Sequence, residues 1–356
     1  MPEKNTFYLC GAFLRTEFER SQPNGHLLFL SKLKQYRRVN DARDAQILVA
    51  VEHPASMREL WQHATARHLR LFLAGEAFFP NFNSFDYAYG FDHLELSDRY
   101  IRLHPTARFQ PLFSPKTVRS GLDLNPFDRE FCDFIYSNPR AHPARDAFFR
   151  LLSGYREVTS LGRHLNSGDT TIQRRGSPNE GTWLSQKLKA QAHFKFSIAF
   201  ENARYHGYTS EKILTSLFAG QVPIYWGNPG IALDFNPERF IDVHSFESFE
   251  LAIEAVRVVD EDPKLWLEMV RKPFYTAKQL KEIEYSGQKV ELFLKNIFMN
   301  GQSGISRRGI GTFPDFVEKA QGRLVNGSKF RSRITDSIRS IVPAGLRHWI
   351  KNWFRL

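Results

Sequence analysis

One apolar segment of the sequence ends in a single carboxylate. The run Leu71-Phe-Leu-Ala-Gly is followed directly by Glu76. In a parallel sheet, the carboxyl end of such a strand commonly faces a ligand cleft, where a carboxylate is well placed to act as a general base. In the alternative interpretation, Glu76 is a solvated residue of a turn.

A second stretch has the features of an anion site. The apolar run and its polar end, Phe194–Asn202, lead through a loop with Gly207 to a predicted helix that has Thr209 as its N-cap and carries Lys212 in its first turn. Free backbone N–H groups and a lysine at a helix N-terminus suit a diphosphate. An ordinary solvated first turn, in which Glu211 complements the helix dipole, explains the same residues equally well. No glycine-rich phosphate-binding consensus is present.

Short apolar runs and amphipathic segments alternate along the chain and would position these residues. The predicted strands are Phe7–Phe13, Ile47–Val51, Leu69–Gly75, Phe85–Phe91, Tyr100–Leu103, Phe131–Ser137, Glu157–Leu161, Phe194–Phe200, Val222–Trp226 and Arg239–Val243. The predicted helices are Ser56–Ala66, Ala144–Leu152, Trp183–Ala192, Thr209–Ala219 and Phe246–Val259. This alternation predicts an α/β fold with parallel sheets covered on both faces. A Pro- and Gly-containing stretch without a period, Arg108–Asp128, is the predicted interdomain linker.

Length and composition bound the class of protein. The 356 residues fit two domains of ordinary size, and a hydrophobic fraction of 42% is sufficient for packed cores. The two cysteines, Cys10 and Cys132, make no disulfide framework, which favours a reducing compartment. No apolar run is long enough to cross a bilayer, and the start lacks the layout of a secretory signal. We therefore expect a cytoplasmic protein.

The net charge is +11, and much of it lies near the end of the sequence. Between Lys329 and Leu356 there are seven Lys or Arg residues and one Asp. A predicted helix places Leu346, Trp349 and Trp353 on one face and basic residues on another, which is typical of an interfacial membrane helix. The alternative is a last helix that packs back on the protein. The high pI also suggests a nucleic-acid-binding protein, but the body of the chain has no recognisable nucleic-acid module.

Four segments closely resemble, in order and spacing, the signature of α-1,3/4-fucosyltransferases, especially the soluble bacterial members. They are Phe196-Ser-Ile-Ala-Phe-Glu-Asn, Gly207-Tyr-Thr-Ser-Glu-Lys-Ile, Gly220-Gln-Val-Pro-Ile-Tyr-Trp-Gly-Asn-Pro and Asp234-Phe-Asn-Pro-Glu-Arg-Phe-Ile. The similarity extends from about Phe7 to Phe298. It implies a GT-B fold, in which two Rossmann-like domains face each other across a cleft. We expect an acceptor-binding domain at 1–118, a GDP-fucose-binding domain at 119–300 and a basic amphipathic membrane-associating tail at 301–356.

The resemblance also implies roles for single residues. It makes Glu76 the general base, places Asn202 and Tyr208 in the nucleotide-sugar pocket, directs Lys212 and Arg145 to the diphosphate, and brings Glu211 to the ribose or the fucose. Ala77 departs from the pattern, since many bacterial members have Asn there.

The implied activity is an inverting transfer of L-fucose from GDP-β-L-fucose to GlcNAc in a galactosyl-GlcNAc-type oligosaccharide or glycolipid, giving an α-1,3 or α-1,4 fucoside. We expect no essential metal, because Asp260-Glu-Asp262, which matches a DxD motif, reads as a charged turn before Pro263. The expected location is the cytoplasmic face of the inner membrane, held there by the tail, with no nucleic-acid partner. A GT-B transferase for another nucleotide sugar and a non-enzymatic nucleic-acid-binding protein are the alternatives.

Overall fold

The computed structural model describes residues 5–20, 26–65, 67–110, 112–113, 125–166, 183–303 and 306–309. Within these residues, the chain folds into two parallel β-sheets, as the alternation of strands and helices predicts. None of the described helices is both long enough and apolar enough to span a bilayer. The predicted basic helices between Lys329 and Leu356 lie outside the described residues.

Six parallel strands form the first sheet. They are β1 (Thr6–Leu9), β2 (Arg37–Arg38), β3 (Ile47–Val51), β4 (Leu69–Leu73), β5 (Tyr87–Gly90) and β6 (Tyr100–Arg102), in the order β2-β1-β3-β4-β5-β6. The bounds predicted for β3 are confirmed, and all five of its residues are buried. Such strands appear in a sequence as continuous apolar runs because both faces of a parallel sheet are covered.

Separate apolar clusters cover the two faces of this sheet. The helices of this part of the chain are α1 (Ala12–Arg20), α2 (Leu27–Leu33), α3 (Pro54–His63) and α4 (Pro105–Arg108). Val49 and Leu71 pack into a cluster with α2, whereas their neighbours Leu48 and Phe72 pack into a second cluster with Leu60 of α3. Alternate strand residues therefore serve opposite faces, as the period of two along a strand requires.

The strand predicted at Phe7–Phe13 ends at Leu9 in the structure, and the segment from Ala12 onward is helical. Gly11 makes the turn with a φ of 95°. A Cβ atom at this position would lie 3.0 Å from the Cα atom of Ser56 in α3. The close approach of α3 and the left-handed backbone end the strand early, and neither is visible in the apolar pattern.

The second sheet has five parallel strands. They are β7 (Glu130–Phe134), β8 (Val158–Ser160), β9 (Phe194–Phe200), β10 (Val222–Trp226) and β11 (Ile241–Asp242), in the order β11-β10-β9-β7-β8. The bounds predicted for β9 and β10 are confirmed, and every residue of both strands is buried. The central position of β9 explains its apolar run of seven residues.

Six further helices follow among the residues described in this part of the chain. They are α5 (Ala144–Tyr155), α6 (Trp183–Gln191), α7 (Glu211–Phe218), α8 (Phe249–Glu261), α9 (Pro263–Arg271) and α10 (Ala277–Ser303). Phe196 and Ile198 of β9 pack in a cluster with α5, α8 and α9. Ala199 faces the other way, into a cluster with α6 and α7. The second sheet is thus covered on both faces as well.

The chain returns to the first sheet through α10. Val290, Leu294 and Ile297 lie in the same apolar cluster as Val49 of β3. The predicted second domain extends to residue 300 and therefore includes most of α10, whose apolar residues pack on the first sheet. Spacing of three and four residues defines an apolar helix face, but it does not say which sheet that face will cover.

The start of the predicted linker is packed rather than loose. Arg108 is fully buried, and its guanidinium donates to the carbonyl oxygen of Gly90 at 3.1 Å. Phe109 and Phe113 belong to the apolar cluster of α6 and α7. The chain therefore crosses between the two sheets with buried anchors at this point.

Candidate active site

A cleft of about 860 Å³ lies between the two sheets. Its wall on the first sheet includes Glu52, directly after β3, and Gly75 and Glu76, shortly after β4. Its opposite wall includes residues 135–139 after β7 and Asn202 after β9. The carboxyl ends of both sheets thus face one space, which is where open parallel sheets commonly bind ligands.

Glu76 stands exposed at the end of a buried strand, on the cleft wall. The turn that presents it is anchored, because the Gly75 N–H donates to Glu52 Oε2 at 2.9 Å. The Tyr208 hydroxyl donates to Glu76 Oε2 at 2.7 Å. These two residues are 132 positions apart, so the hydrogen bond joins the two walls of the cleft. An exposed and oriented carboxylate is what a general base requires.

The loop before α7 brings Tyr208 to this position. Gly207 has a φ of 80°, and a Cβ atom there would lie 2.1 Å from the carbonyl oxygen of Phe91. Tyr208 itself is 2% exposed and packs edge-on against the Phe91 ring. Burial, together with the charges of Glu201 and Glu76, raises the pKa of Tyr208 well above its usual value. Tyr208 therefore keeps its proton and acts as a hydrogen-bond donor to Glu76.

Lys212 lines the cleft in an ion pair with a buried carboxylate. Its Nζ donates to Glu201 Oε2 at 2.9 Å and to Ser210 Oγ at 3.0 Å. The Glu201 side chain is fully buried, and that of Lys212 is 12% exposed. Burial by itself lowers the pKa of Lys212, but Glu201 and Glu211 more than compensate and raise it above its usual value. The cleft wall therefore carries a permanent ammonium group.

The N-terminus of α7 differs from its prediction by one residue. The helix begins at Glu211 with Ser210 as its N-cap, so the prediction of Thr209 as the cap is wrong. The Ser210 N–H donates to Glu201 Oε1 at 2.8 Å, and the Thr209 hydroxyl accepts from Asn228 at 3.1 Å. The Glu201 carboxylate, directly after β9, holds the N-cap residue in place, a tertiary contact that the local pattern does not reveal.

Asn202 and Glu211 also line the cleft, as the predicted nucleotide pocket requires. The backbone of Asn202 is fixed because its carbonyl oxygen accepts from the His142 N–H at 2.9 Å. Glu211, in the first turn of α7, acts electrostatically on Lys212 and Lys187 and favours the charged form of both. The structure thus brings together five of the six predicted site residues on one cleft.

Arg145 is the exception. It is 1% exposed and does not line the cleft. Its Nη2 donates to the carbonyl oxygen of Asn138 at 2.7 Å, and its guanidinium lies 4.5 Å from the centre of the Tyr136 ring. Nη1 is buried without a hydrogen-bond partner among the described residues. Arg145 supports the wall residues from behind, and its predicted contact with a diphosphate stays a prediction.

The sequence interpretation missed several residues of the cleft. Glu52 follows β3 directly and Glu76 lies shortly after β4, so a similar strand-end signal is present in the sequence for both. Burial raises the pKa of Glu52 above its usual value, and the charge of Glu76 raises it further. The hydrogen bond from the Gly75 N–H acts in the opposite direction but does not cancel the effect of burial. Lys187 on α6 and Tyr136 after β7 also line the cleft. No local pattern distinguishes Lys187 from the other lysines of the sequence.

The acidic motif at 260–262 takes part in structural contacts. Asp260 is buried at the end of α8 and forms ion pairs with Lys195 and with Arg156. Asp262 caps α9 by accepting from the Lys264 N–H at 2.9 Å. Among the residues that the structure describes, no three His, Cys, Asp or Glu side chains are grouped so that they could hold a metal ion.

Comparison with known proteins places both walls of the cleft within family models. Residues 20–109 match the Alpha-(1,3)-fucosyltransferase FucT N-terminal domain. Residues 128–289 match the C-terminal region of Glycosyltransferase family 10 (fucosyltransferase). Together the two matches cover more than two thirds of the chain.

Individual relatives agree with these matches. The chain is 30% identical over 280 residues to the Alpha-(1,3)-fucosyltransferase FucT of Helicobacter pylori, across 69% of this chain and 55% of that protein. It is 28% identical to an Alpha-(1,4)-fucosyltransferase of Arabidopsis thaliana, across 48% of this chain and 45% of that protein. The chain thus spans about half the length of these curated relatives.

Solved structures match over most of both chains. A crystal structure of an alpha1,3-fucosyltransferase superposes with a TM-score of 0.69 at 25% identity, covering 87% of this chain and 94% of the other. A crystal structure of an alpha1,3-fucosyltransferase with GDP-fucose superposes with a TM-score of 0.66 at 26% identity, covering 84% and 91%. On these grounds, the chain belongs to glycosyltransferase family 10, the fucosyltransferases.

Proposed function

We propose that this protein transfers L-fucose from GDP-β-L-fucose to a hydroxyl of GlcNAc in a galactosyl-GlcNAc-type glycan, with inversion, to give an α-1,3 or α-1,4 fucoside. One observation carries the proposal: the hydrogen bond from Tyr208 sets the exposed carboxylate of Glu76 against the wall that carries Lys212. A proton acceptor and a phosphate-binding cation thus share one cleft. Family membership and the likeness to a solved relative with GDP-fucose support the choice of donor.

In this proposal, Glu76 takes the proton of the acceptor hydroxyl as that oxygen attacks the anomeric carbon of fucose. A neutral hydroxyl is a poor nucleophile, so a positioned base contributes directly to the rate. Tyr208 and the Gly75 turn hold the carboxylate in place. A single displacement on the β-linked donor gives the inverted α-linked product, through an oxocarbenium-like transition state.

Departure of GDP leaves negative charge on the second wall of the cleft. The bond between the anomeric carbon and the phosphate oxygen breaks, and the electron pair stays on the diphosphate. The ammonium group of Lys212 lies on this wall, and the first N–H groups of α7 have no partners within the helix. Preorganised donors of this kind stabilise developing charge without a reorganisation cost.

We assign the two walls to two substrates, in a GT-B arrangement. The wall after β3 and β4 would bind the acceptor beside Glu76, and the wall after β7 and β9 would bind GDP-fucose. Two parallel sheets that face one cleft with their carboxyl ends support this assignment. The proposed ranges are 1–118 and 119–300, with α10 returning to the first sheet.

The decisive experiment is a product analysis. The full chain is incubated with GDP-fucose and a panel of acceptors with and without the galactosyl-GlcNAc unit, and the linkage and anomeric configuration of the product are determined by NMR. GDP-mannose and UDP-sugars serve as control donors. Transfer of fucose in an α linkage supports the proposal, whereas exclusive use of another donor, or no transfer to any acceptor, would refute it.

We also propose that the basic tail, predicted at residues 301–356, holds the protein at the cytoplasmic face of the inner membrane, near lipid-linked glycans, through the part that follows Arg308, which is itself ion-paired with Asp86. The amphipathic pattern of the sequence supports this role. Removal of residues 327–356 should abolish sedimentation with anionic vesicles and leave transfer to soluble acceptors intact. Unchanged vesicle binding by the truncated protein would contradict the proposal.

A further inference from the structure

Lys187 is a buried lysine on the cleft wall that has no partner among the described residues. Its side chain lies on α6, is 6% exposed and lines the cleft. Its ammonium group makes no hydrogen bond or ion pair anywhere in the part of the chain that the structure describes. Lys195 is buried to the same degree, at 7%, but it is ion-paired with Asp260.

The position is costly for a lysine in the absence of a ligand. A buried ammonium group loses its hydration, and this cost is normally offset by a paired carboxylate or hydrogen bonds. Burial lowers the pKa of Lys187; Glu211 acts in the opposite direction, and the like charge of Lys212 lowers it again. The carboxylates of Asp133 and Glu201 also favour the charged form, with smaller effects. None of these carboxylates is in direct contact with the ammonium group.

Helices α6 and α7 pack against each other, and each directs one lysine into the same cleft. Lys212 comes from the first turn of α7 and is held by Glu201. Lys187 comes from the middle of α6, and no described residue forms an ion pair or hydrogen bond with its ammonium group. Two ammonium groups that repel each other across a shared space form a suitable site for a multiply charged anion, which would neutralise both.

We propose that Lys187 is a second cationic ligand of the donor diphosphate, beside Lys212. This inference rests on the function proposed above and deepens it, since the family resemblance directs only Lys212 and Arg145 to the phosphates. Lys187 lines the cleft, whereas Arg145 lies behind the wall. A lysine is a point charge on a flexible stem and can follow the diphosphate as charge moves onto it.

The test compares Lys187→Met with Lys189→Met in the full chain. Methionine keeps an unbranched apolar stem and removes the charge, and Lys189 is an exposed lysine on the same helix. Calorimetry measures the affinity of each protein for GDP, GMP and guanosine. We expect Lys187→Met to lose about tenfold to hundredfold in affinity for GDP, the effect of one charge-assisted contact, with little change for guanosine. Lys189→Met should match the wild type.

Two further measurements separate ligand binding from a structural role. Lys187→Arg, which keeps the charge, should retain most of the affinity for GDP. The melting temperature of ligand-free Lys187→Met should be equal to or above that of the wild type, because an unpaired buried charge has been removed. A lower melting temperature with equal losses for GDP and guanosine would overturn the proposal, as would an unchanged affinity for GDP.

The outcomes also distinguish this inference from the proposed function. If the wild type binds GDP and Lys187→Met binds it equally well, Lys187 is not a ligand, and the proposed function stands. If the wild type binds neither GDP nor GDP-fucose, the proposed function fails and the assignment of Lys187 fails with it.

Discussion

The ion pair between Lys212 and Glu201 allows stability and ligand binding to be separated by mutation. In Lys212→Met, the Glu201 carboxylate stays fully buried, and its remaining hydrogen bonds to described residues are those from the N–H and hydroxyl of Ser210. A buried charge without its counter-ion is strongly destabilising. In the double variant Glu201→Gln/Lys212→Met, the uncompensated charge is gone, and the glutamine oxygen can still accept from the Ser210 N–H.

The expected magnitude follows from the burial of the pair. Removing one partner of a buried ion pair costs about 3–5 kcal/mol, and the 12% exposure of the Lys212 side chain places the value near the lower end. We therefore expect Lys212→Met to lose about 3 kcal/mol of unfolding free energy. The double variant should recover most of this loss. Because neither variant has an ammonium group at position 212, both should bind GDP about tenfold to hundredfold more weakly than the wild type.

Urea denaturation followed by circular dichroism measures the stability, and calorimetry with GDP and guanosine measures the affinity. Glu201→Gln alone is the matched control, since it keeps the lysine. Recovery of both stability and GDP affinity in the double variant would show that Lys212 has only a structural role. An unfolding free energy for Lys212→Met within 1 kcal/mol of the wild type, roughly the value of an exposed pair, would refute the argument from burial.

Three other predictions test the remaining parts of the site. Glu76→Gln should keep its affinity for GDP and lose about 10²- to 10⁴-fold in turnover, measured by release of GDP with a saturating acceptor; a twofold change would exclude Glu76 as the base. Gly207→Ala should lose about 2–4 kcal/mol of unfolding free energy, because its Cβ would lie 2.1 Å from the Phe91 carbonyl oxygen. The control is Gly154→Ala in α5, whose Cβ would meet nothing within 4 Å. It should be neutral or slightly stabilising in the same denaturation assay. Burial lowers the pKa of His26 to about 3 in the folded protein, whereas the unfolded chain has the ordinary value near 6.5. Between these two pH values the imidazole is protonated only in the unfolded chain. The unfolding free energy therefore falls as the pH drops through that range. From pH 7 to pH 5 the wild type should lose about 2 kcal/mol more unfolding free energy than His26→Gln. Equal losses in the two proteins would contradict the lowered pKa of His26.

Local sequence patterns correctly predicted the strands that are buried along their whole length. The predicted bounds of β3, β9 and β10 are confirmed, because buried central strands of a parallel sheet are continuous apolar runs that end at polar or turn residues. The α/β class follows from the same alternation. The strand-end signal at Glu76 and the helix-start signal at Lys212 also led to residues that share one cleft.

Tertiary structure decided the features that depend on contacts between distant segments. The N-cap residue of α7 is held by the Glu201 carboxylate, which follows β9, and α10 covers the first sheet although it follows the second in the chain. Arg145 lies behind the cleft wall and Lys187 in front of it, yet each is simply a basic residue on a predicted helix. A periodic pattern defines which face of a helix is buried, but the partner of that face depends on packing energies summed over the whole chain.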